Sequence, residues 1–165
     1  MKAPICGICL NSDMLCMACK KKLDGGEITE SDIKFSRMVH DAAKNFRPLD
    51  EITINRVIEG KNIVVIICGK GDKARLIGKD GLMIKKLSKS AQKPIRVVED
   101  TSDVKEFIQN LIYPVPLIGM NVIYSPEGEV LKIIIPNERD IPMPKTSFNE
   151  VIRLVFGKNA IILHA

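Results

Sequence analysis

The chain has no tryptophan, only two tyrosines and five phenylalanines, and two histidines among its 165 residues. Surfaces that read single-stranded nucleic acid by stacking, such as RRM sheets and OB-folds, need exposed aromatic side chains on their strands. Seven aromatics over this length, most of them required for a core, exclude such a platform. His40 and His164 stand without a spaced nucleophile or carboxylate, so no triad can be assembled around them. No acidic pair stands out from the solvated background, and general acid–base chemistry has no candidate. The expectation is therefore a protein that is not an enzyme and has no small-molecule substrate. Long apolar runs are also missing: none approaches the roughly 20 residues that span a bilayer. The opening MKAPICGICL lacks the apolar core of a signal peptide. A soluble, cytoplasmic chain with no membrane partner is expected.

What is present begins with charge. An apolar fraction of 45% and a charged fraction of 27% suit one ordinary globular domain or two small ones, not a disordered chain. The formal net charge is +5. Split by segment, residues 51–100 carry eleven basic and six acidic groups, which alone equals the whole excess. Within residues 69–93, Lys70, Lys73, Arg75, Lys79, Lys85, Lys86, Lys89 and Lys93 are opposed only by Asp72 and Asp80. Residues 101–165 carry six basic and seven acidic groups and are close to neutral. A basic cluster confined to one segment is either a solvated face or a phosphate-binding surface.

The order of elements can be read from periodicity. KKKLDGG, ending in a Gly pair, reads as a linker after a cysteine-rich start. Ile33, Met38, Val39, Ala42, Ala43 and Phe46 recur at helical spacing, with Thr29 or Ser31 as the cap and Pro48 marking the exit. Two strands, Ile52–Ile58 and Ile63–Cys68, flank a turn at Glu59-Gly60-Lys61. A short helix Asp72–Ile77 and a second, Leu82–Ser90, flank Gly78-Lys79-Asp80-Gly81, and Ile95–Glu99 is a further strand. The order is α-β-β-α-α-β. A weaker echo follows: helix Asp103–Ile112, strands Val122–Tyr124 and Val130–Ile135, helix Phe148–Phe156 capped by Ser147, and strand Ala160–His164. A shift of about 66 residues lays PMPKTSF over LIGKDGL, so the second unit reads as a degenerate repeat.

Cys6-x2-Cys9 and Cys16-x2-Cys19 are two CxxC pairs separated by six residues. Each CxxC turn presents two thiolates to one ion, and two turns supply the four tetrahedral ligands of a closed structural zinc site. A disulfide pair requires an oxidising compartment, a redox CxxC a βαβ context, and an iron–sulfur cluster different compact spacings. Zinc is the favoured reading of Cys6, Cys9, Cys16 and Cys19, with no open coordination position and so no catalytic role. Met14 and Met17 are expected to pack inside this knuckle, and Cys68 to be a small core residue.

A GxxG turn at a helix–helix junction lets the main chain approach a phosphate backbone, because neither glycine carries a Cβ. In its α-β-β-α-α-β setting, Leu76-Ile77-Gly78-Lys79-Asp80-Gly81 resembles the loop of a type II K-homology (KH) domain, which clamps four nucleotides of single strand. Two rivals share this region. Gly69-x-Gly71-x-x-Ala74 after a strand is similar to a dinucleotide fingerprint, but Gly78 to Gly81 would break its helix. A P-loop fails because Asp80 stands where Mg²⁺ binding needs Ser or Thr.

The four-cysteine start, LDGGEITESDIK, IICGKGDKARLIGKDG and PIRVVED together resemble archaeal NusA-like KH proteins. NusA carries tandem KH domains that bind RNA during transcription. The resemblance implies an α+β protein in three parts: a zinc knuckle over residues 1–26, a type II KH domain over 27–100, and a degenerate KH-like domain over 101–165 that lacks GxxG. It implies that single-stranded RNA runs over Gly78, Lys79, Asp80 and Gly81, with Lys70, Arg75 and Lys85 adding charge. Ile77, Ile84 and the strand Ile95–Val98 would form an apolar groove for bases. Asp80 departs from a basic clamp and lowers the expected affinity. The competing expectation is an adaptor in which the knuckle and KH-like units dock on RNA polymerase or the ribosome.

Overall fold

A computed structural model describes all 165 residues. The chain divides into two compact units, Met1–Glu59 with Val64–Asp100 and Gly60–Ile63 with Thr101–Ala165. Both are mixed α+β.

The first unit runs α1 (Gly7–Leu10), α2 (Met17–Asp24), α3 (Glu30–Ala43), β1 (Ile54–Glu59), β2 (Val64–Cys68), α4 (Lys73–Ile77), α5 (Leu82–Ala91) and β3 (Ile95–Glu99). All five residues of β2 are buried, which suits a central strand covered on both faces. It pairs antiparallel with β1 and parallel with β3. Phe35 and Val39 of α3, Leu76 of α4 and Leu87 of α5 close over Ile54, Ile66 and Val97 of the sheet. Cys68 lies in this core fully buried, and burial pushes its thiol up to about 12, so it is a neutral apolar filler.

Helix α3 is fixed to the sheet by one carboxylate. Thr29 Oγ1 accepts from the Asp32 N–H at 3.2 Å, and Asp32 Oδ2 accepts from the Thr29 N–H at 2.9 Å, a complete capping box. The second oxygen, Asp32 Oδ1, accepts from the Val57 N–H of β1 at 2.6 Å. Two residues on, at the end of β1, Glu59 accepts from Ser31, Lys34 and Lys93 at 3.1 Å each, joining α3 to the turn before β3.

The cysteine segment is part of this unit. Ile5, Cys9, Leu10 and Cys19 form an apolar cluster with Ile28 and Ile33, and Arg37 Nε of α3 donates to the Cys9 carbonyl at 3.0 Å. Four expectations are corrected here. KKKLD is the body of α2, not a linker, because Lys and Leu are good helix formers and only the Gly pair ends the helix. Met14 and Met17 are 79% and 80% exposed, so they do not pack the knuckle, whose apolar cluster is made by Ile5, Cys9, Leu10 and Cys19 with Ile28 and Ile33. Ile52 is buried but precedes the strand, which opens at Ile54, and Asp72 precedes α4, its carboxylate accepting from the Thr53 N–H and not capping the helix.

The second unit runs α6 (Val104–Ile112), β4 (Gly119–Ser125), β5 (Gly128–Ile135), α7 (Lys145–Phe156) and β6 (Asn159–His164). Its sheet repeats the first in order and sense: β4 antiparallel to β5, and β5 parallel to β6. Phe107, Ile108 and Leu111 of α6 and Phe148 and Ile152 of α7 are buried, as are Leu131, Ile133 and Ile135 of β5. Ser147 is no cap. Helix α7 starts after Pro144, whose fixed φ suits a helix start, and leaves Ser147 buried within the first turn.

Asp32→Ala breaks the capping box and orphans the buried Val57 N–H, and is expected to cost about 2–4 kcal/mol in urea unfolding. Glu59 is held below its ordinary value of 4.5: burial opposes ionisation, but the Lys93, Lys34 and Ser31 donors outweigh it. A depressed carboxyl stabilises the fold above that ordinary value and loses the contribution as pH falls through its folded value. The stability gap between the parent and Glu59→Gln is therefore expected to be full at neutral pH and to close below pH 4.5, read from urea midpoints across pH.

Candidate nucleic-acid loop and metal centre

Between α4 and α5 the chain makes a single turn, Lys79–Gly81, in a backbone state few residue types tolerate. Gly78 sits at φ 76°, ψ 172°, a region that only glycine populates. Asp80 at φ 53° and Gly81 at φ 71° are left-handed, which Asp and Gly accept more readily than other residues. The two glycines serve different needs. A Cβ on Gly78 would lie 2.8 Å from Met83 Cβ and 3.0 Å from Met83 N, so space and φ both demand glycine. A Cβ on Gly81 would meet only Ile84 Cγ2 at 3.8 Å and Lys85 Cε at 3.9 Å, so only its φ does. The Gly81 N–H donates to the Gly78 carbonyl at 3.2 Å and closes the turn.

The side chains expected to serve this loop are placed unevenly. Lys79 and Asp80 are exposed at its tip, and Lys85, one turn into α5, is exposed beside Gly81. Lys70 is exposed in the turn before α4. Arg75 faces Glu51 at 3.6 Å and Asp72 at 3.5 Å, so its charge is shared with two carboxylates. Ile77 and Ile84 are half-buried on either side of the glycines, and Ile95 is half-buried on β3. Val97 and Val98, expected to line a groove, are 5% and 0% exposed and belong to the core. Leu82 escaped the sequence reading: it directly follows Gly81 and is 65% exposed. Its position off the Met83–Ile84–Leu87 face of α5 was the available signal.

The dinucleotide alternative is closed by the same geometry. Helix α4 has five residues and stops at Gly78, and the Gly71 N–H donates to Glu99 Oε1 at 3.1 Å, where that fold would present it to a phosphate.

The four cysteines converge, with all four sulfurs within 4.8 Å of one another. Cys6 Sγ lies 3.6 Å from Cys9 Sγ and 3.9 Å from Cys16 Sγ. A tetrahedral ion with thiolate bonds of about 2.3 Å needs sulfurs about 3.8 Å apart, so the set fits one metal ion. Main-chain donors are already aimed at the sulfurs: Cys16 N–H to Cys9 Sγ at 3.1 Å, Cys6 N–H to Cys19 Sγ at 3.4 Å, and Cys19 N–H to Cys16 Sγ at 3.5 Å. Donation from Cys9, main chain and side chain, draws the Cys6 thiol down to about 6. The Cys19 N–H lowers Cys16 in the same way. Cys9 receives the Cys16 N–H, yet burial and the neighbouring sulfurs push it up to about 12. Four sulfurs at this spacing cannot all be thiolates unless a cation sits among them.

A family model described as the KH domain matches residues 42–122, from the last turn of α3 into β4. KH domains are typically non-enzymatic modules that bind RNA, so the match suggests nucleic-acid binding. The crystal structure of APE1850 is similar in fold, with a TM-score of 0.58 at 21% identity, over 76% of this chain and 96% of that one. No curated protein matches the chain. No helix is long and apolar enough to cross a membrane.

The metal reading makes a direct prediction. Native mass spectrometry of the full chain should show one ion, and Cys9→Ser should lose it. Chelation should expose Cys6 and Cys16 to alkylation at neutral pH, Cys6 fastest, while buried Cys68 stays unmodified. A mass without an ion, and an alkylation rate that chelator leaves unchanged, would exclude a metal centre.

Proposed function

We propose that the chain is a single-stranded RNA-binding protein of NusA-like organisation, acting in transcription or RNA processing without an enzymatic activity of its own. On this reading residues 1–26 are a structural zinc knuckle, residues 27–100 a type II KH domain, and residues 101–165 a degenerate KH-like unit. RNA backbone runs over Gly78–Gly81, with Lys79, Lys70 and Lys85 as its cations and Arg75 contributing the part of its charge that Glu51 and Asp72 leave. Ile77, Ile84 and Ile95 supply aliphatic contacts to bases. A cytoplasmic location belongs to the same reading, since free thiolate ligands persist in a reducing compartment.

One observation carries it: three positive-φ residues among four, at a helix–helix junction in the basic third of the chain. Such a turn brings main chain within reach of an anion where side-chain bulk is least. Asp80 in the same turn implies modest affinity, because an acid beside the phosphate track opposes it.

A second reading, an adaptor for RNA polymerase or the ribosome, is favoured by Ile8, Met14 and Met17, which stand 76%, 79% and 80% exposed on the knuckle. Lys79→Asp separates the two. It places a second acid between the glycines without touching the φ-demanding positions, and should weaken binding of a single-stranded RNA about tenfold or more at fixed salt. The parent should also lose affinity steeply as salt rises. Unchanged affinity in Lys79→Asp would overturn the clamp and leave the adaptor reading.

A further inference from the structure

The two sheets treat their first strands differently. In the first sheet the outer side of β1 is partly covered by the N-terminus: the Lys2 N–H donates to the Ile52 carbonyl, and the Ile54 N–H to the Lys2 carbonyl, both at 2.9 Å. Strand β1 also carries Arg56 and Glu59, and its register shifts between Ile54 and Arg56. Cover, charge and a bulge are three devices by which proteins keep an edge strand from pairing with another chain.

Strand β4 occupies the same place in the second sheet and has none of them. Its sequence, Gly-Met-Asn-Val-Ile-Tyr-Ser, holds no charge and no proline. It pairs with β5 without a shift from Gly119 opposite Ile134 to Ser125 opposite Gly128, and no strand pairs with its other side. Val122, Ile123 and Tyr124 are 39%, 41% and 79% exposed. An exposed, regular, apolar edge of seven residues is a template for a further strand.

We infer that the free edge of β4 pairs antiparallel with β4 of a second copy of this chain, joining two three-stranded sheets into one of six strands. The strand's own composition selects this occupant. A two-fold axis perpendicular to the sheet keeps each side chain on its own face and sets every residue opposite one of equal parity. Centred on Val122, it pairs Val122 with itself, Asn121 with Ile123, Met120 with Tyr124 and Gly119 with Ser125. The whole strand is used and no charge meets its like. Pro126, directly after β4, has no N–H to donate, so a slipped register would lose ladder bonds and this one does not. Pairing of this kind is isologous and closed: it uses up the edge and stops at two chains.

Light scattering or sedimentation of the full chain tests the inference without RNA. The mass should rise with concentration from 18.3 kDa toward twice that value. Val122→Lys and Val122→Glu each set like charges across the axis and should weaken self-association about tenfold or more. Far-UV dichroism and metal content, unchanged from the parent, establish that both variants fold. An equimolar mixture of the two should regain the dimer. A parent that stays at 18.3 kDa overturns the inference and leaves the edge to a strand of another protein. A dimer that survives Val122→Lys places the interface elsewhere, and a mixture that stays monomeric overturns the register about Val122.

Discussion

The parallel pairing of β2 with β3 is the constraint from which the rest of the first unit follows. Two parallel neighbours cannot be joined by a tight turn; the chain must leave the end of one strand and travel back to the start of the next. Here Gly69–Pro94 makes that journey, and Leu76, Met83 and Leu87 bind it down onto the sheet. An unbroken helix would serve the topology equally well. This crossover is instead broken at Gly78, where a Cβ would strike Met83 and where the positive φ demands glycine. The break is therefore tied to the core through Met83 and is not a slack loop. The second unit obeys the same constraint between β5 and β6, but its crossover passes through a turn at Glu138–Asp140 into the single helix α7. Lys145, which replaces Lys79 in the sequence alignment of the two units, is held there by Glu138, whose carboxyl the Lys145 and His164 donors keep below its ordinary value. One sheet topology thus carries a free basic turn in one unit and a neutralised helix start in the other.

The cysteine segment depends on a different force. Its two helices, of four and eight residues, are too short to be stable alone. Their own buried apolar residues amount to Cys9, Leu10 and Cys19, two of which are candidate metal ligands. A metal ion at the sulfurs would supply the cross-link that so small a core cannot, and Ile28 and Ile33 anchor the result to α3. Since Asp32 holds α3 to β1, the knuckle, the helix and the sheet form a continuous mechanical chain within the first unit.

Much of this was legible in the residues. VVIIC could only be a buried strand, and the positions of Gly60, Gly78, Gly81 and Pro94 punctuated the first unit closely enough to give its element order. The sulfur cluster followed from spacing alone, because a CxxC turn fixes two ligands whatever surrounds it. What failed did so where tertiary context outweighs local pattern. KKKLD has the polarity of a linker, but its helix propensity decides its state. Val97 and Val98 both looked available to a ligand because alternation in a strand does not say whether its second face is covered. Arg75 counted as free charge until Glu51 came close in space. Ser147 is a good cap by type, yet Pro144 starts the helix three residues earlier. Strand β4 read as three residues because Gly119 and Asn121 interrupt its apolar pattern, although the backbone runs extended through both.

The asymmetry between the units has a consistent physical sense. A phosphate-binding face needs charge that stays unpaired, and the first unit concentrates the net charge of the chain around a turn whose backbone is exposed. Concentrated charge also repels a second copy, and that unit shields its sheet edge with the backbone bridge at Lys2, two charged side chains and a bulge. The second unit carries a net charge close to zero, ties Lys145 at the start of α7 to a carboxylate and leaves an uncharged edge open. Association through strand pairing is disfavoured where charge is dense and easiest where it is absent. On the proposed reading, phosphate binding and strand pairing fall on separate sheets, and each has the surface it requires.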